Sequence, residues 1–218
     1  MRSLALALAC ITVFALSGCQ SAYFAAMEKA GIPKRQMLVS RVNDARDAQQ
    51  DAKQHFSSAL QNYRSVVQLN GGDLEKRYNA LNDDYQASEK SAAAVHHRIG
   101  AIETVADVLF DEWNDELDQY SNKDLRAASA KELARTQTEY RELLQKMKTA
   151  ESRIEPVLSV LRDHVLFLKH NLNAQAIGAL KGEHSNLQGN VDQLLKDMQR
   201  SIDDSDAFVR HLQGSATQ

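Results

Sequence analysis

The sequence predicts an all-α protein, an elongated antiparallel four-helix bundle of coiled-coil type with a projecting two-helix hairpin. Three observations lead there. Apolar residues recur at alternating steps of four and three, which is the seam of a supercoiled helix and not the alternation of a strand. Only 2 prolines occur in 218 residues, and aromatic residues make up 6%, a composition that suits helix over sheet. Turn-forming residues gather at few places, so the helices between them must be long.

The chain opens with Met1 and Arg2, followed by small and apolar residues from Leu4 to Leu16. This pattern reads as a secretory signal over residues 1–18, and it is too short for a spanning helix, which needs roughly 20 residues. Ala7-Leu8-Ala9 also resembles a small-residue cleavage site. The tetrad Leu16-Ser17-Gly18-Cys19 resembles the bacterial lipobox. That resemblance implies cleavage before Cys19, acylation of its sulfur, and acylation of the new amino terminus. Each buried acyl CH₂ contributes about 0.8 kcal/mol, so two or three chains anchor a protein durably. Gln20 stands where an aspartate would favour inner-membrane retention. The same resemblance therefore implies the periplasmic face of the outer membrane.

Loss of residues 1–18 removes Arg2 and leaves a net charge of −4. No basic stripe invites nucleic acid. Cys10 departs with the signal and Cys19 is the lipid site, so no disulfide staples the remainder. No apolar span follows residue 19, so the rest is expected to be a soluble body on a tether.

Residues 19–37 read as that tether, with a short helix ended by Gly31-Ile32-Pro33. Tyr23, Phe24 and Met27 suit either the lipid headgroup zone or the end of a domain they cover. The helical domain is assigned to 38–213. Its first helix carries Leu38, Val42, Ala45, Gln49, Ala52, Phe56, Ala59, Tyr63 and Val66 in strict four-three spacing. Asn70-Gly71-Gly72 stops it, and Asp73 can cap the next.

The second helix continues through Leu74, Tyr78, Leu81, Tyr85, Ser88, Ala92, Val95, Ile99, Ile102, Ala106, Leu109 and Trp113, to a turn at Ser121-Asn122. The third carries Leu133, Gln137, Tyr140, Leu144, Met147, Glu151, Ile154, Leu158, Leu161, Val165, Leu168 and Leu172. Pro156 lies inside it without disturbing the phase, which predicts a kink and not an end. The apolar face after it widens to include Leu166 and Phe167, and is expected to be the most buried part of the bundle. The last turn falls within 171–184, where Lys181-Gly182 resembles a helix C-terminus. Leu187, Val191, Leu194, Met198, Ile202, Ser205, Val209 and Leu212 line the fourth helix. Short connections make neighbours antiparallel. Helix lengths then leave about 106 to 145 as a hairpin beyond the body, with the anchor at the hairpin end unless the tether folds back.

Candidate sites are few. Glu103, Asp107, Asp111, Glu112, Asp115, Glu116 and Asp118 form an acidic run with no Lys or Arg between Ile99 and Asn122. Asp111, Trp113, Asp115 and Glu116 are the candidate partner surface, and a solvated face balanced by Lys123, Arg126, Lys131 and Arg135 is the plainer alternative. Trp113 at a heptad position suits packing. No Glu-x-x-His, His-x-x-x-His, Gly-rich phosphate loop or nucleophile elbow is present. Neither a metal or other cofactor nor a catalytic residue is expected.

Ala26-Met27-Glu28-Lys29, Gly31, Lys34-Arg35, Arg41-Val42, Ala45-Arg46 and above all the run Phe167-Leu168-Lys169-His170-Asn171-Leu172-Asn173-Ala174-Gln175-Ala176-Ile177 resemble the "domain of unknown function 2959" family of gammaproteobacterial lipoproteins. The family brings no catalytic residues. It does draw attention to His170, Asn171, Asn173 and Gln175, which inside a bundle would need hydrogen-bonded partners. A buried polar layer fixing helix register is the first expectation for them, and a partner site the second.

Taken together these features imply a non-enzymatic, membrane-anchored envelope lipoprotein acting as scaffold or adaptor for another envelope protein. The alternatives are a bundle that binds and shapes the membrane surface, or one that binds a small ligand or metal between helices. A heptad seam is filled equally well from one chain or two, so a homo-oligomer stays open.

Overall fold

A computed structural model of the protein describes residues 23, 24, 26–68 and 73–214. Cys19, the signal segment and Asn70-Gly71-Gly72 lie outside the described residues. Among those described there is no strand, and five long helices follow one another. They are α1 (Lys34–Val67), α2 (Leu74–Leu117), α3 (Lys123–Ser152), α4 (Ile154–His170) and α5 (Ala174–Gly214).

Two side-chain caps open helices where the sequence placed them. Asp73 accepts from the Lys76 amide at 3.0 Å. Asn122 accepts from the amides of Asp124 and Leu125. Each satisfies donors that the first turn leaves without an intrahelical partner. Third and fourth helices form one kinked rod. Arg153 ends α3 and begins α4 with φ −86° and ψ −13°. Pro156 has no amide hydrogen to offer the Ser152 carbonyl four residues back, so the ladder breaks one turn ahead of the ring. Asp197 of α5 holds the break by accepting from Arg153 Nε.

The rods close a ring in which α1 packs on α2 and α5, while the α3–α4 rod packs on α2 and α5 from the opposite corner. All nine heptad residues named for α1 are buried, as are the eight named for α5. In α3 the seam slips by one residue. Thr136, Leu143 and Ala150 are buried where Gln137, Leu144 and Glu151 were expected to be the innermost.

Three expectations are corrected. The projecting hairpin is shorter than 106–145. Lys34 of α1 reaches Glu112 of α2 at 2.9 Å, and His211 of α5 stands between Glu132 (3.1 Å) and Glu139 (2.5 Å) of α3. α1 starts a turn earlier than its first heptad residue, so only about 113–131 extends past the flanking helices. Gly182 does not end a helix. α5 passes straight through it, held on the core by Ala176, Ile177, Leu180 and Leu187. Finally, Leu166 and Phe167 are 53% and 41% exposed, because α4 turns only one side toward α2 and α5.

The tether folds back. Residues 23, 24 and 26–29 are helical, and Gly31 (φ +80°) reverses the chain. The Ile32 amide donates to the Met27 carbonyl and the Gly31 amide to that of Glu28, closing the helix end as a left-handed glycine allows. Phe24 is 3% exposed and joins the core, with Met27, Ile32, Trp113 and Leu117 packed against it. Glu28 pairs with Lys34 at 2.5 Å, and the Tyr23 hydroxyl accepts from Arg41 at 3.4 Å. Phe24 and Met27 therefore cover the domain end, the second of the two roles open to them, whereas Tyr23 stays 44% exposed.

Candidate functional site

The hairpin end carries the acidic run. Asp111, Asp115 and Glu116 are exposed and make no ion pair among the described residues. Glu112 turns inward to Lys34, and Glu103 pairs with Lys148 of α3. Of the four basic residues expected across the turn, Arg126 pairs with Asp118 at 2.6 Å, whereas Arg135 pairs with Glu139 on its own helix. Trp113 is half-buried, and its Nε1 donates to Ser129 Oγ at 2.9 Å. It joins the two arms of the hairpin and is not presented outward.

Carboxylates at this place act against the helix. Asp115 and Glu116 stand in the last turn of α2, where the macrodipole is negative, and no basic residue of α2 offsets them there. Arg126 supplies part of the compensation from α3, since its Nε donates to the Leu117 carbonyl at 2.9 Å. Tyr120 and Leu125 cap the tip as exposed apolar groups, 41% and 58% accessible. The arrangement is a narrow prong with unpaired negative charge on its sides and two apolar groups at its end.

His170, Asn171, Asn173 and Gln175 do not form a buried layer. They lie at the turn between α4 and α5, and only Asn171 is half-buried. Their hydrogen bonds serve the turn. Asn171 Nδ2 donates to the Phe167 carbonyl, and Asn173 Oδ1 accepts from the Ala176 amide, capping α5. The exposed Leu166, Phe167 and Leu172 stand beside them.

Buried polarity is found elsewhere. Tyr63 of α1 has no exposed surface and donates its hydroxyl to the Leu180 carbonyl at 2.7 Å. His164 of α4 and His184 of α5 both lie nearly parallel to its ring, at centroid distances of 5.0 and 6.0 Å. Burial depresses the His164 imidazole below its ordinary pKa, with the charges of Glu183 and Asp163 opposing only in part. Burial likewise raises the Tyr63 phenol, helped by Glu183. The stack joins three helices. Tyr63 is legible as a polar-tipped residue at a heptad position, but no local signal links it to histidines about a hundred residues away.

Among the described residues, no group of three or more His, Cys, Asp or Glu side chains could hold a metal ion. None of their helices is long and apolar enough to cross a membrane.

The profile of a family described as protein of unknown function (DUF2959) matches residues 23–212. The chain belongs to the DUF2959 family. No curated protein matches it. In this DUF2959 chain the match begins at Tyr23, in the fold-back segment, and ends at Leu212, the last buried residue of α5. It thus spans the fold-back segment, the acidic hairpin and the histidine–tyrosine stack alike.

Proposed function

We propose that this DUF2959 chain is a lipoprotein anchored through Cys19 at the periplasmic face of the outer membrane. There it serves as a helical scaffold or adaptor, with no catalytic role. Its hairpin engages a basic helical segment of another envelope protein. The supporting observation is the trio Asp111, Asp115 and Glu116, which is exposed and makes no ion pair among the described residues. Opposed basic side chains would gain the pairing that the chain itself does not provide, and such charges steer encounter and set specificity.

The test is a pull-down from envelope extracts with the triple variant D111N/D115N/E116Q, alongside circular dichroism. Loss of a partner at unchanged helicity supports the reading. An unchanged set of partners removes the hairpin from it.

A further inference from the structure

We infer that the anchored bundle lies lengthwise along the membrane, with the side bearing Tyr23 and Arg41 toward the lipid surface; this rests on the anchoring proposed above. Tyr23 is bonded to Arg41, and Arg41 Nη1 reaches Asp44 Oδ2 at 3.3 Å. Asp44 in turn meets Arg98 of α2 at 3.6 Å. Asp44 and Arg98 line a groove between α1 and α2, together with Ala48, Ala87, Ser91 and Ala94. The tether therefore arrives at the flank of the rod, at one end of this groove, and at neither tip.

Distances along the rod follow from helix rise. Arg41 lies seven residues into α1 from Lys34, which is level with Glu112 of α2. The hairpin tip near Tyr120 is thus about 20 Å beyond the level of Tyr23, at 1.5 Å per residue. In the other direction, α1 runs on to Val67, about 40 Å away by the same rise. Between Cys19 and Tyr23 the backbone spans at most about 14 Å when fully extended.

A rod standing on its hairpin would sink about the last 6 Å of the tip, which carries Asp118, into the headgroups even with the tether fully extended. A rod standing on its other end falls further short. A recumbent rod satisfies the short leash without that cost. The groove side carries Asp44, Asp47, Asp51, Lys90 and Arg98, charges of both signs, so it neither adheres to lipid nor is driven from it. The fold-back enforces the posture. With residues 23–33 detached, the leash from Cys19 to Lys34 would reach about 50 Å, enough for either end to approach.

The experiment uses the full chain, lipidated in cells and reconstituted into phosphatidylethanolamine–phosphatidylglycerol vesicles with acceptor dye on the headgroups. After cleavage Cys19 is acylated and no other thiol remains, so Ser121→Cys at the tip and Asn186→Cys at the far end each take one donor dye. Comparable energy transfer from both positions is expected. A flexible twenty-residue insertion between Ala22 and Tyr23 should lower both. Strong transfer from one position with none from the other overturns the posture, as does an insertion variant indistinguishable from the parent. Mass spectrometry of the same sample separates the premises. Absence of acyl chains sinks anchoring and posture together, whereas unequal transfer with acyl chains present sinks the posture alone.

Discussion

Tyr63 and His164 lie face to face between α1 and α4, their ring centroids 5.0 Å apart and their planes inclined by 17°. The contact holds a largely buried imidazole, and this makes stability depend on pH. His164 has a depressed pKa in the folded state, because burial disfavours its charged form. The unfolded chain takes up that proton near pH 6.5 while the folded chain resists, so the contribution of His164 to stability is lost as pH falls below about 6.5. Urea unfolding at pH 7.5 and pH 5.5 should show the wild type losing more stability than His164→Phe. Equal losses in the two proteins would contradict this.

Glycine inside α5 offers a stabilising change. An added Cβ at Gly178 or Gly182 would meet nothing within 4 Å. Alanine relieves the backbone entropy that glycine loses in a helix, so Gly182→Ala should gain about 0.5–1 kcal/mol. Thermal unfolding reads the gain directly, and a lower Tm would show that the glycine serves an external contact.

At the kink, Asp197 is the common acceptor for Arg153, Gln193 and Arg200. Burial alone would raise its carboxyl, but the Gln193 and Arg153 hydrogen bonds and the charges of Arg153 and Arg200 hold it below the usual carboxylate range. Asp197→Ala leaves Arg153 free to hydrate at the surface, so the expected cost is moderate, about 1–3 kcal/mol. Chemical denaturation at pH 7 measures it.

Phe24→Ala should separate local from global stability. Its ring is buried, yet the segment that carries it touches only one end of the bundle. Residues 26–32 should lose hydrogen-exchange protection while the midpoint of global unfolding changes little, since the segment can open alone. A large fall in the midpoint would make the segment part of the cooperative core.

Neutralising the prong should move stability and binding in opposite directions. Asp115→Asn with Glu116→Gln removes charge from the negative end of α2 and should stabilise it by about 0.3–1 kcal/mol per residue. The same variant should lose the proposed partner. Melting and pull-down on one preparation check both signs.

How much of this was legible in the sequence depends on the distance over which each feature is encoded. The inward faces of α1 and α5 follow from side-chain spacing alone, because every heptad residue named there is buried. In α3 the spacing misleads by one residue, since that helix must face α2 and α5 together and its innermost line falls between two candidate rows. Gly182 has the chemistry of a helix end, but Leu180 and Leu187 fasten α5 on either side of it. The polar run at 170–175 drew attention as a buried layer and is a turn. The buried polar contact is instead Tyr63 with His164 and His184, which only tertiary packing brings together. The acidic prong was visible in composition, whereas the inward role of Trp113 required Ser129 to be placed opposite it.

The reversal at Gly31 also decides how the protein bears load. A pull exerted ahead of Tyr23 first meets the Arg41 contact, then Phe24, then the Glu28–Lys34 pair, one after another. Tension thus peels a short helix from the flank first, in the manner of a fuse, while the rods behind it carry the load still folded until that helix has let go.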